Sequence, residues 1–143
     1  MYHYPEQKKI IQFEVRPWCT NTEGGVGVGN IFYGSEGYLV INGYDSYEVY
    51  LGEKREPGPK RKAGGDHYAN FIKAVESRKA SDLDGPVETA HLASSLAHLG
   101  NISYRLGRQL QFDPAAERFV GDDEANKMLT RNYRAPYVVP EKV

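Results

Sequence analysis

Four groups of residues have types and spacing that could do chemistry. The run Gly24-Gly25-Val26-Gly27-Val28-Gly29 invites reading as a phosphate loop. It fails on spacing, because neither G-x-G-x-x-G nor G-x-x-x-x-G-K-[ST] can be drawn through it, and the residues after it are strand-like rather than helical. The expectation is an inter-strand loop, of the kind that borders a site. His91 and His98 lie seven residues apart with Glu88 three before His91, on one helical face. Zinc needs more ligands on converging elements, and the H-E-x-x-H spacing is absent, so capping or solvated roles are expected. His67 stands beside a helix start, where it faces a cleft or only packs. The stretch Lys54–Lys62 holds five basic residues around Glu56. Without a second basic surface it reads as a solvated linker rather than a nucleic-acid site. No G-x-S-x-G nucleophile elbow occurs, and Asp122-Asp123-Glu124 fits a helix N-terminus, where the dipole favours acids.

The elements that must position these residues change character halfway along the chain. From Lys8 to Trp18, Ile11, Phe13 and Val15 alternate with Gln12, Glu14 and Arg16, which predicts a strand with one buried face, ending at Pro17. Short strands are expected over 30–33, 38–41 and 47–51. They are separated by turns at Gly34-Ser35-Glu36-Gly37 and at Asn42-Gly43, so they pair antiparallel. Residues 52–65, with two prolines and several glycines, read as a linker with no regular element. Beyond it the period becomes helical. Asp66 is a candidate N-cap, with Tyr68, Phe71, Ile72 and Val75 on one face. A second helix is predicted over 86–106, opened by Pro86 and closed by Gly107, with Leu92, Leu96, Leu99, Ser103 and Leu106 as its stripe. Gly100 inside it is expected to mark close packing against another backbone. A short strand at Leu110–Phe112, a helix from Asp122 to Leu129, and an extended tail complete the chain. Strands first and helices afterwards predict an α+β fold over residues 1–143, one domain with a mainly antiparallel open sheet and helices on one face.

Composition bounds the function classes. A chain of 143 residues suffices for one core. Its 40% hydrophobic and 26% charged residues place it with globular rather than disordered proteins. The net charge of −1 gives no field that would gather nucleic acid or an acidic membrane, so neither partner is expected. Cys19 is the only cysteine, which excludes an internal disulfide and a cysteine-based zinc site. No apolar run approaches membrane-spanning length, and the N-terminus carries no signal-peptide pattern. The compartment is not assigned by the sequence, the cytoplasm being the default.

Three blocks resemble the glucose–fructose oxidoreductase / inositol dehydrogenase / rhizopine-catabolism family (Gfo/Idh/MocA). Asn30-Ile-Phe-Tyr-Gly-Ser-Glu-Gly-Tyr-Leu-Val-Ile41 is similar to that family's F-G-T/S-x-G hairpin. Asp66 to Lys79 is similar to its H-x-x-N-F-x-x-A helix. His91 to Arg108, followed by Phe112-Asp113-Pro114, Ala125-Asn126 and Tyr133-Arg134-Ala-Pro136, resembles the C-terminal end of bacterial members.

The resemblance implies the C-terminal portion of a two-domain enzyme. A Rossmann domain would bind NAD or NADP, and this α+β domain would carry the substrate side, its open sheet packing against another subunit in a homo-oligomer. The family's E-K-P lysine and D-x-x-x-H pair have no counterpart here. Glu141-Lys142 is preceded, not followed, by proline. No catalytic residue, cofactor site or metal site is therefore carried over. The expected role is the substrate-side and assembly portion of an NAD(P)-dependent oxidoreductase acting on a sugar or polyol, not catalytic alone. The alternative is a free-standing binding or oligomerisation module derived from that fold. Arg16, Trp18 and Asn21, where a strand runs into a loop, are the candidate substrate-binding residues, since an arginine and an indole beside polar groups suit a polyol.

Overall fold

A computed structural model describes residues 1–17 and 21–140. In chain order the elements are β1 (Tyr2–Tyr4), β2 (Lys9–Ile11), β3 (Gly29–Gly34), β4 (Gly37–Asn42), β5 (Ser46–Leu51), β6 (Glu56–Lys62), α1 (His67–Ser77), a 3-10 turn (Ala80–Asp82), α2 (Val87–Leu106), β7 (Phe112–Asp113), β8 (Arg118–Phe119) and α3 (Asp123–Lys127). All the strand pairs are antiparallel, and with the helices they make the α+β class expected. The chain divides into two compact units, Glu14–Asp84 and Met1–Phe13 with Gly85–Val143.

The unit Glu14–Asp84 is built on one sheet of order β3-β4-β5-β6. Its first hairpin turns on Ser35 and Glu36, with Gly34 opposite Gly37. Gly37 has φ +154°, and a Cβ there would run into the Tyr50 carbonyl of the neighbouring strand. Only glycine lets β5 approach at that point. The pairing then follows residue by residue: Tyr33 faces Tyr38 and Ile31 faces Val40, while Tyr38 faces Tyr50 and Val40 faces Glu48.

Two expectations for this part of the chain are corrected. Among the described residues, the predicted strand over Lys8–Trp18 forms only at Lys9–Ile11, where it pairs with β1; Trp18 lies outside them. Phe13 and Val15 are 72% and 74% exposed. Alternation states which face a strand would bury, but not that a partner strand lies beside it. The stretch read as a linker contains the seven-residue strand β6. Its prolines are compatible with pairing because β6 is an edge strand and carries a register irregularity opposite Val49. There the missing N–H donors cost no ladder bond.

Asp66 caps α1 as expected, accepting from the Tyr68 and Ala69 backbone N–H groups at 3.0 Å each. Asn70 then ties the helix to the following turn, donating to the Asp82 carbonyl at 2.7 Å and accepting from the Asp84 N–H at 3.1 Å. The helix face of Tyr68, Phe71, Ile72 and Val75 is not buried; each is 40% exposed or more.

The other unit is organised by α2. Leu99, Ile102 and Leu106 lie on one face, and Ile102 packs with Phe119 and Ala125 in a core closed by Leu110, Phe112 and Met128. Burying side chains of this size contributes about 1.5–3 kcal/mol each before entropy is counted. Leu92, expected in the same stripe, is exposed. The rings of Phe112 and Phe119 meet edge to face at 5.3 Å across β7 and β8. Gly107 closes α2 in the left-handed conformation, as expected. Gly100 makes room for a side chain rather than a backbone: an added Cβ would lie 2.5 Å from the Tyr2 hydroxyl, which donates to the Leu96 carbonyl. Asp122 caps α3 through the Ala125 N–H at 3.0 Å, and Arg108 binds Asp122 at 3.0 Å and Glu124 at 2.7 Å.

Two substitutions test these constraints. Asp122→Ala removes the cap and one Arg108 partner, and should lower stability by about 1–2 kcal/mol in denaturant titration. Gly37→Ala should abolish the sheet's slow-exchanging amides at 37–51 while leaving the α2 amides protected, as read by hydrogen exchange.

Candidate functional site

Pairing in β3, β4 and β5 sets three tyrosines side by side on one sheet face. The Tyr33 and Tyr38 rings lie 6.0 Å apart and the Tyr38 and Tyr50 rings stack at 5.1 Å. A carboxylate terminates the row at each end. The Tyr33 hydroxyl donates to Glu23 Oε1 at 2.8 Å, and the Tyr50 hydroxyl donates to Glu48 Oε2 at 2.7 Å. Glu23 sits at the start of a tight turn in which the Val26 N–H returns to its carbonyl at 2.9 Å. Gly24 and Gly25 make that turn with φ +57° and +81°, and Gly24 lies against Ile31 and Val40. This loop covers Val40, which is only 5% exposed.

Beside the loop is a cavity of about 270 Å³, lined by Gly24, Gly25, Asn42, Ser46, Glu48 and Tyr50 with Val40 beneath. Alternation along β4 and β5 brings the Asn42, Ser46, Glu48 and Tyr50 side chains to the same face. The opposite face is apolar. Phe32, Leu39, Val49 and Leu51 line a more open hollow of about 400 Å³ near the Ser35-Glu36 turn.

Arg16 belongs to the tyrosine side. Its guanidinium pairs with Glu14 and, at 3.2 Å, with Glu23. Asn21 lies in the exposed coil before the loop, and Trp18 lies outside the described residues, as does Cys19. The structure therefore brings Arg16 to Glu23, whose other oxygen accepts from Tyr33. Glu23 and Glu48 escaped the sequence reading; the signal for Tyr33 was present, because a two-residue turn between Gly34 and Gly37 forces Tyr33 opposite Tyr38.

The charges bias one another. The hydrogen bond from Tyr33, aided by Arg16, holds the Glu23 carboxyl below its ordinary range. The same bond raises the Tyr33 phenol, and the bond to Glu48 raises Tyr50. The hydrogen bond and charge of Glu14 raise Arg16 further. At neutral pH both phenols are therefore protonated donors. The arrangement offers hydrogen-bond acceptors, donors and flat rings.

The histidines form no metal centre. His91 Nε2 lies 2.8 Å from Glu117 Oε1 on the surface, and among the described residues no group of three or more His, Cys, Asp or Glu could hold an ion. Strand β3, not a helix, follows the glycine-rich loop, so the strand–turn–helix context of a dinucleotide fingerprint does not occur there. Two strand–glycine–helix junctions do occur, before α1 and before α3. In both, an aspartate carboxylate, Asp66 or Asp122, already takes the helix N–H donors that would meet a pyrophosphate. No helix among the described residues is long and apolar enough to cross a membrane.

The pKa directions define a pH test. Glu23 is depressed, so its contribution is present above its unfolded value of about 4.3 and is lost as pH falls through its folded value. Tyr33 is raised, so its contribution is present below about 10 and is lost as pH rises through its folded value. Glu23→Gln should return the Tyr33 phenol toward its ordinary titration range in phenolate absorbance difference spectra, and Tyr33→Phe should return the Glu23 carboxyl upward in carbon-detected NMR. Unmoved titrations would show that the bond does not form in solution.

Comparison with known proteins identifies a family. The family model described as "Oxidoreductase family, C-terminal alpha/beta domain", of the Gfo/Idh/MocA group, matches residues 39–139, more than two thirds of the chain. No curated protein and no solved structure matches significantly.

Proposed function

We propose, since the chain belongs to the Gfo/Idh/MocA oxidoreductase family as its C-terminal α/β domain, that it is the substrate-side and assembly portion of an NAD(P)-dependent enzyme acting on a sugar or polyol. Family membership over residues 39–139 is the observation that carries this reading. Two further features support it. The E-K-P and D-x-x-x-H motifs are absent from the 143 residues, and the two helix N-termini that follow a strand and a glycine are capped by Asp66 and Asp122. Binding of the nicotinamide and the chemistry on it would then fall to another portion of a full-length parent, with this chain holding the substrate.

The two faces of the sheet suit the two tasks. The side with Glu23, Tyr33, Tyr38, Glu48 and Tyr50 offers acceptors, donors and ring faces of the kind that hydroxyl-rich molecules meet. The side with Phe32, Leu39, Val49 and Leu51 is apolar and open, and would be covered by the same face of a second copy.

The isolated chain should show no saturable binding of NADH or NADPH by fluorescence titration; micromolar binding would sink the proposal. Light scattering should report a dimer or larger assembly that Leu39→Asp dissociates, and a wild-type monomer at every concentration would rule out the assembly role.

A further inference from the structure

We propose that Asn42-Gly43, in the connection between β4 and β5, is a self-modification site, where the backbone of the folded chain converts Asn42 into aspartate and isoaspartate and so sets a new carboxylate beside the polar cavity. The inference is independent of the domain's proposed role.

The chemistry is an intramolecular ring closure, favoured because nucleophile and target belong to adjacent residues. The Gly43 nitrogen gives up its proton to hydroxide and attacks Asn42 Cγ. A bond forms between that nitrogen and Cγ, the bond from Cγ to the side-chain nitrogen breaks, and ammonia leaves. The product is a five-membered succinimide, which water then opens. Opening at Cγ restores the ordinary backbone with an aspartate side chain. Opening at the main-chain carbonyl leaves the backbone running through Cβ and Cγ, which is isoaspartate. One water is consumed, one ammonia is released, and nothing is oxidised or reduced.

Local structure permits closure at this asparagine. Asn42 is the only asparagine followed by glycine, so no side chain shields the attacking nitrogen. Both residues are exposed, and nothing lies within 4 Å of where a Gly43 Cβ would stand. Among the described residues, neither the Asn42 side-chain amide nor the Gly43 N–H has a hydrogen-bond partner. Pairing between β4 and β5 ends at Val40 and Glu48, which leaves the connection outside that ladder.

The other asparagines lack this combination. Asn70 holds the Asp82 carbonyl and the Asp84 N–H with the two ends of its amide. Asn126 holds the Phe119 N–H and carbonyl, each at 2.9 Å. Asn30 and Asn101 sit within β3 and α2, and each precedes a β-branched isoleucine. Asn21 and Asn132 precede Thr22 and Tyr133.

Conversion changes charge more than architecture. Asn42 lines the cavity with Ser46 and Glu48, so its carboxylate would stand with that of Glu48 and repel anions there. The extra backbone methylene of isoaspartate falls beyond the Val40–Glu48 pair and disturbs only the Gly29–Asn42 pair at the end of β3 and β4.

The test is to hold the whole chain at mildly alkaline pH and physiological temperature, sample it over days, and cut it after glutamate, which isolates Gly37–Glu48 with Asn42 as its one asparagine. By mass spectrometry that fragment should gain the amide-to-acid mass difference at a rate within about tenfold of the same peptide free in solution. Fragments carrying the other asparagines should stay unchanged, and the rate should climb with hydroxide concentration. An isoaspartyl methyltransferase should label the converted fragment. Asn42→Gln keeps the amide and the backbone but must close a larger ring, and should slow conversion by about tenfold or more. An Asn42 that persists in the folded chain while the free peptide converts, a pH-independent rate, equal conversion of the glutamine variant, or faster conversion at another asparagine would each overturn the proposal.

Discussion

Everything on the sheet depends on one close approach. Gly37 has no side chain, and the carbonyl of Tyr50 occupies the space that a side chain would need. That contact fixes β5 against β4 at the same point where the two-residue turn fixes β3 against β4. The two registers together decide which residues become neighbours. Tyr33, Tyr38 and Tyr50 align because of them, and so do Val40 and Glu48. A shift of one residue in either pairing would send the tyrosines to the apolar side. The alignment of these side chains is thus a consequence of backbone sterics at a glycine.

Much of this was legible in the sequence, and the reasons for the rest are specific. The hairpin was readable because a turn of two residues between glycines admits one pairing. The caps at Asp66, Gly107 and Asp122 were readable because capping is local chemistry. The strand over Lys8–Trp18 was over-read, since its alternation is a property of the segment while pairing is a property of what lies beside it. β6 was under-read for the converse reason: prolines and glycines argue against a strand by local propensity, but an edge position with an irregular register removes the objection. Among the site residues, Arg16 was selected for its type, and the structure gives it two carboxylate partners. Glu23 and Glu48 were passed over because nothing in a sequence pairs residue 23 with residue 33, or distinguishes Glu48 from other solvated acids on a strand.

The sheet separates two kinds of surface by the thickness of one backbone. On one side, hydroxyls and carboxylates engage one another and a polar cavity opens beside them. On the other, aliphatic and aromatic side chains stand open. Period-two alternation achieves this division without additional structure, because successive residues such as Tyr38 and Leu39 necessarily face opposite ways.

The composition of β6 has a consequence for how the sheet can propagate. Its outer edge is interrupted by Pro57 and Pro59 and carries Lys60, Arg61 and Lys62, so an incoming strand would find missing donors and a row of like charge. The β3 edge, Gly29–Gly34, bears no charge and no proline. The ladder is therefore polar in its capacity for growth, with one terminus sealed and the other competent. Head-to-tail stacking of this four-stranded sheet into a fibril requires two competent edges, and of its two edge strands only β3 is free of proline and charge.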